Sequence, residues 1–190
     1  MRFLAMLIAC VACAVSARAT VDPDADQIGV YFDLNADETC LEVDPFGQFS
    51  VYLIVTNPSA TEIAGINVAL CLEGGVLQAR HFWYEDWVGI DSYSESCHYM
   101  SVGFMEPIPV VGSNVPLVRV DYLLLSEPEV KFYVQPYGDG PLEYFDASSN
   151  SYPLGISSGD SDLPVAIVNG DCDVVSATGM TFDAVKSLYR

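Results

Sequence analysis

The sequence predicts an all-β protein, an antiparallel β-sandwich followed by one short C-terminal helix. Three observations carry this prediction. Apolar residues recur with period two from Gln27 onward, the segments that show the period are short and punctuated by Gly, Pro, Asn and Ser, and only residues 181–190 change to helical spacing. Period two marks a strand with one buried face, because successive side chains leave a strand on opposite sides.

Residues 28–33 are the first such segment. Residues 48–56 place Phe49, Val51, Leu53 and Val55 on one side, and Asn57-Pro58 ends the run because proline has no amide proton for a ladder. Segments 63–72, 77–83 and 98–105 follow. Residues 116–125 set Val118, Val120, Tyr122 and Leu124 against Arg119 and Asp121, and residues 129–135 set Val130, Phe132 and Val134 against Glu129 and Lys131. Ser126-Glu127-Pro128 between them reads as a turn. Residues 164–168 form the last strand, while 138–141 and 148–162 read as loops. Short strands separated by frequent turns pack as two facing sheets. In the helix, Phe182, Val185, Leu188 and Tyr189 share a face, with Asp183 in the first turn and Lys186 and Arg190 near the end, as the helix dipole favours.

Of the 190 residues 51% are apolar and 17% charged, which excludes a disordered chain. Acidic residues number 26 against 7 basic ones, a net charge of −19. That balance excludes a nucleic-acid partner, which requires a basic footprint to displace counterions, and binding to anionic lipid for the same reason.

Residues 1–19 read as a secretory signal peptide: Arg2 is basic, the run from Phe3 to Val15 is apolar, and Ala17 and Ala19 are small. The apolar run falls short of the roughly 20 residues that span a bilayer, so no membrane insertion is expected after cleavage. Residues 20–190 then form a single sandwich domain, secreted, periplasmic or on the cell surface. Cleavage also removes Cys10 and Cys13 and leaves Cys40, Cys71, Cys97 and Cys172. Four cysteines in an exported chain imply two disulfides, with three connectivities open. Pairing of Cys40 with Cys71 and of Cys97 with Cys172 is the favoured one. Zinc is disfavoured because no C-x2-C hook is present.

Catalytic motifs are weak. Gly155-Ile156-Ser157-Ser158-Gly159 matches the nucleophile elbow literally, but a loop follows it and both histidines, His81 and His98, precede it. Two histidines exclude a three-histidine zinc site and leave only a mixed site of His81, His98 and a carboxylate. Paired carboxylates for a hydrolase are abundant by number alone, so they discriminate nothing. No cofactor is expected; structural calcium is the one candidate ion. Asp22, Asp24 and Asp26 alternate, but Gln27 stands where a calcium loop needs glycine. Asn169, Asp171 and Asp173 alternate in a turn, and Asp160 and Asp162 lie in another loop.

Residues 80–87 hold both tryptophans, and Trp83, Tyr84, Glu85 and Trp87 form a candidate ligand patch. Aromatic faces beside carboxylates stack on sugars and accept their hydroxyl hydrogen bonds, whereas the same rings packed inward are core. On one continuous strand Trp83, Glu85 and Trp87 would share a face, and the carboxylate would draw that face toward solvent.

Ile28-Gly29-Val30-Tyr31-Phe32-Asp33 near the start and Val185-Lys186-Ser187-Leu188-Tyr189-Arg190 at the end resemble the corresponding segments of a loose group of exported bacterial proteins with a cohesin-like or immunoglobulin-like sandwich. The resemblance implies that fold and brings no activity or site residues. The expectation is therefore a non-catalytic extracellular or cell-envelope module for adhesion or protein contact. Its partner is an unidentified protein or a glycan, the alternatives being a carbohydrate-binding module using Trp83 and Trp87 and a carboxylate-based hydrolase.

Overall fold

Alternation of side chains is realised strand by strand in two facing sheets. The computed structural model describes residues 24–94, 96–125 and 129–172; the expected leader, the turn at 126–128, Asp22, Asp173 and the helix at 181–190 lie outside them. One sheet has five strands in the order β12 (Gly155–Ile156), β1 (Gln27–Tyr31), β3 (Gln48–Thr56), β8 (Asn114–Leu124) and β5 (Val76–Trp83). The second runs β6 (Trp87–Tyr93), β7 (Cys97–Pro109), β4 (Glu62–Glu73), β9 (Val130–Gln135), β13 (Ala166–Val168) and β2 (Cys40–Leu41). A hairpin of β10 (Glu143–Phe145) and β11 (Ser151–Pro153) shares the edge of β4 with β9. Among the described residues only β1 with β12 and β2 with β13 pair in parallel.

The core is made of the inward members of the alternation. Phe49, Val51, Leu53 and Val55 of β3 and Val118, Val120, Tyr122 and Leu124 of β8 face Val130, Phe132 and Val134 of β9, all buried. Phe132 lies at the centre, edge-on to Phe32 and Phe49 with ring centroids 6.4 and 6.3 Å away. Among the described residues thirteen strands form where the period marked eight or more. β11 and β12 fall inside the segment read as a loop, and β6 was not anticipated at all, because its inward positions are Trp87, Gly89, Asp91 and Tyr93 rather than a run of aliphatics.

Two irregularities set up the edge where the sheets meet. The register of β5 against β8 shifts between Gln78 and Arg80, so Ala79 is an extra residue, a β-bulge. The bulge restores phase after an odd step, and Gln78, His81 and Trp83 all face inward opposite Tyr122, Val120 and Val118. In β6, Gly89 has φ 144° and lies against the backbone of β7, where a Cβ would run into the Ser101 carbonyl oxygen.

The cysteine pairing differs from the favoured one: the disulfides are Cys71–Cys97 and Cys40–Cys172. Strand register decides both. Cys71 and Cys97 are direct partners in the β4–β7 ladder with Cα atoms 4.0 Å apart, and the parallel pairing of Cys40 with Ile167 carries Cys172 back to β2. Register depends on which strands pair, and spacing along the chain does not reveal that. In the chain-entropy model the two loops stabilise by about 3.5 and about 5 kcal/mol. Peptide mapping without reductant will therefore recover Cys71 linked to Cys97 and Cys40 linked to Cys172; a Cys40–Cys71 peptide would contradict this register.

Candidate functional site

β5 closes one sheet and β6 closes the other, with the short segment 84–86 passing directly between them. Their inward side chains meet in a polar cluster. Asp91 of β6 is buried, and its Oδ2 accepts from Trp83 Nε1 at 3.0 Å and lies 3.2 Å from His81 Nε2, both on β5. Its Oδ1 is bonded to Nε2 of buried His98 on β7. An ionised carboxylate is an acceptor only, so each of these imidazole nitrogens carries the proton of its bond. His81 Nδ1 is then a bare acceptor that receives the Tyr93 hydroxyl at 2.8 Å, and the Tyr93 oxygen accepts from Gln78 Nε2 at 3.1 Å. The result is a directed chain of donors, Gln78 to Tyr93 to His81 to Asp91, that joins the two sheets.

Burial of a carboxylate costs several kcal/mol unless donors replace its water. Here three N–H groups do so, two from the opposite sheet. Tyr93 stacks on His98 with ring centroids 4.0 Å apart, closing the cluster on one side. His98 Nδ1 is buried and has no hydrogen-bond partner among the described residues. Burial holds the His98 imidazolium below the usual histidine range, although the bond to Asp91 pulls the other way.

Hydroxyl, imidazole and carboxylate occur in the order of a catalytic triad, with a phenol as the hydroxyl. Burial pushes the Tyr93 phenol up to about 12, which the Gln78 bond opposes and the nearby Asp91 charge reinforces. Tyr93 is therefore not a phenolate at neutral pH. Nor does the mixed metal site fit. A metal on His98 Nε2 would force the ring proton onto Nδ1, where no acceptor waits. Among the described residues no three His, Cys, Asp or Glu side chains are grouped to hold a metal ion.

The ligand patch of Trp83, Tyr84, Glu85 and Trp87 is brought together, in a different way from a single strand face. β5 ends at Trp83 and β6 starts at Trp87, so the two indoles belong to opposing sheets and meet at 5.7 Å. Glu85 lies exposed in the turn between them and has no need of a buried partner. His81, Phe82 and Asp86 join these four residues around an open cleft of about 460 Å³.

Other candidates lie apart. Ser157 and Ser158 follow β12, at the far edge of the five-stranded sheet from β5 and its histidine. The Ser158 hydroxyl donates to the Asp160 and Leu163 carbonyls, as in an ordinary turn. Asp160 accepts from the Asp162 amide at 3.0 Å, and Asn169 both accepts from and donates to the Val43 backbone, at 2.8 and 2.9 Å. Asp171 is exposed beside Cys172.

The residue that sequence reasoning missed is Asp91. Its signal was an acid in an otherwise apolar and aromatic stretch, in phase with Trp87 and Tyr93. Replacing Asp91 with Asn turns an amide N–H₂ toward at least one N–H donor and removes the charge. We expect a loss of about 3 to 5 kcal/mol in urea unfolding at neutral pH, against less than about 0.5 kcal/mol for exposed Glu85→Gln.

No protein-family model matches the chain, and no curated protein matches it. Among solved structures it is similar to a non-cellulosomal cohesin from Archaeoglobus fulgidus, with TM-score 0.53, 13% identity, and 70% of this chain and 86% of that one covered. The sixth cohesin of scaffoldin B from Acetivibrio cellulolyticus, solved in complex with a Cel5 dockerin, gives 0.55 at 9% identity over 78% of this chain and all of that one. The second type II cohesin of the ScaA adaptor scaffoldin of the same organism gives 0.53 at 12% identity, covering 79% and 99%. The chain thus has a cohesin-like β-sandwich fold.

Proposed function

We propose that residues 20–190 form an exported, non-catalytic module that binds another protein through the outer face of the second sheet. One observation carries the reading. In a chain of net charge −19, the central cross-strand rows of that face, Val88–Gly103–Gly65–Phe145, Ile90–Ser101–Asn67–Glu143 and Ser92–Tyr99–Ala69–Gln135, contain a single charged side chain, Glu143. Charge depletion is what distinguishes the centre of a protein interface from ordinary surface. Val88, Ile90 and Met105 remain 61%, 52% and 68% exposed there, and two glycines keep the middle of the face flat.

Other features support the same reading. The dockerin bound to a fold neighbour favours a protein partner, and two disulfides suit an oxidising compartment. A second reading rests on the cleft of Trp83, Tyr84, Glu85 and Trp87, which offers ring faces beside carboxylates to a glycan.

The test is affinity capture from the cell envelope and culture medium with wild-type protein and with the double variant Val88→Asp, Ile90→Asp. Both side chains are exposed, so folding is retained. The contact reading expects the captured protein to be lost, by about 30-fold or more in affinity if these residues are interface anchors. Loss on Trp87→Ala instead, with competition by soluble oligosaccharide, would replace it with the glycan reading.

A further inference from the structure

β6 serves two masters: Val88 and Ile90 leave its outer side toward the proposed contact face, and Trp87, Asp91 and Tyr93 leave its inner side toward the polar cluster. As an edge strand it pairs, among the described residues, with β7 alone, so its inner side chains are its second attachment. We propose that this cluster is an acid-operated release, in which a second proton on His98 detaches the inner side of β6 from β5 and loosens the contact face. The release rests on the contact reading only for what it controls.

The argument turns on where the proton must go. His98 Nε2–H is already committed to Asp91, so an incoming proton takes Nδ1, which is buried with no acceptor. A charged N–H there is buried and has no acceptor among the described residues, and the ring must move outward to find one. His81 is built differently. Its Nδ1 meets the Tyr93 hydroxyl, and its side chain is 31% exposed, so on protonation the half-exposed phenol turns its own proton to water and accepts instead.

Titratable groups facing His98 are Asp91 and Tyr93 from β6 and His81 from β5, with Tyr122 of β8 behind Tyr93, while β4 presents apolar Leu70. Asp91 is the only acid among them, and it favours the protonated ring. Burial outweighs it, so the His98 value is depressed on folding. A depressed value contributes stability above the unfolded value of about 6.5, and that contribution disappears as pH falls through the folded value. The cluster is therefore most stable at neutral pH and weakens as pH falls below about 6.5.

Hydrogen exchange of the intact, disulfide-bonded chain at pH 7.5 and 5.5, corrected for intrinsic rates, tests this together with tryptophan emission, since both tryptophans of the chain flank the cluster. At the lower pH the amides of β6 will exchange faster relative to β3, by up to about tenfold, the limit set by the one pH unit between the unfolded histidine value of about 6.5 and pH 5.5. Acrylamide will reach Trp83 in step. His81→Gln keeps the transition, and His98→Gln, whose amide can still donate to Asp91, abolishes it. Unchanged β6 protection in wild type, or a transition that survives His98→Gln, overturns the proposal. Should His98→Gln fail to fold, the wild-type ring titration decides: His98 must titrate together with β6 exchange, and β6 exchange that changes without His98 titrating overturns the release. These readouts are intramolecular, so loss of the contact reading through Val88 and Ile90 is scored separately.

Discussion

The Asp91 carboxylate is the constraint around which this edge of the sandwich is built. Removed from water, it is tenable only with donors on both oxygens, and no single strand supplies them: Trp83 and His81 come from one sheet and His98 from the other. Meeting that demand fixes local backbone. The extra residue at Ala79 returns Gln78 and His81 to one side of β5, and Gly89 lets β6 lie close enough to β7 for Asp91 and His98 to meet. A purely aliphatic edge would need neither device.

Cohesion elsewhere is apolar and insensitive to such detail. Phe49, Tyr122 and Phe132 fill the centre through edge and stacked contacts, and the alternating valines of β3, β8 and β9 close the space between sheets. The molecule thus divides its labour: dispersion and burial hold the two sheets, while directed hydrogen bonds register their adjoining edges. Charge is partitioned too. Acidic residues crowd turns and loops, and the central rows on the outer face of the second sheet carry one carboxylate, Glu143.

What the sequence revealed follows from what period two can report. The strands carrying Val51, Val120 and Phe132 were legible because burying one face forces alternation, and their inward sides match residue for residue. β6 was not, since Gly89 and Asp91 occupy inward positions that the pattern expects to be apolar. Trp83 and Trp87 were recognised as neighbours, yet their placement on opposing sheets required knowing that the chain turns at 84–86. His81 and His98 with a carboxylate were legible as a combination and illegible as a geometry, because the acid is set by the β6–β7 register. Disulfide connectivity failed for the same reason.

Cys40–Cys172 also determines how the protein bears load. The bridge spans 132 residues and links Cys40 of β2 to Cys172, four residues beyond β13, the parallel partner of β2. Tension entering beyond Cys172 passes through the sulfur atoms to Cys40 and bypasses every strand from β3 to β13. Roughly 440 to 480 Å of contour is thereby withheld from extension while the bond is intact. Only the chain outside the loop can pay out under force, so a tethered copy of this protein would behave as a short, stiff link whose length is set by covalent chemistry rather than by the strength of its sheets.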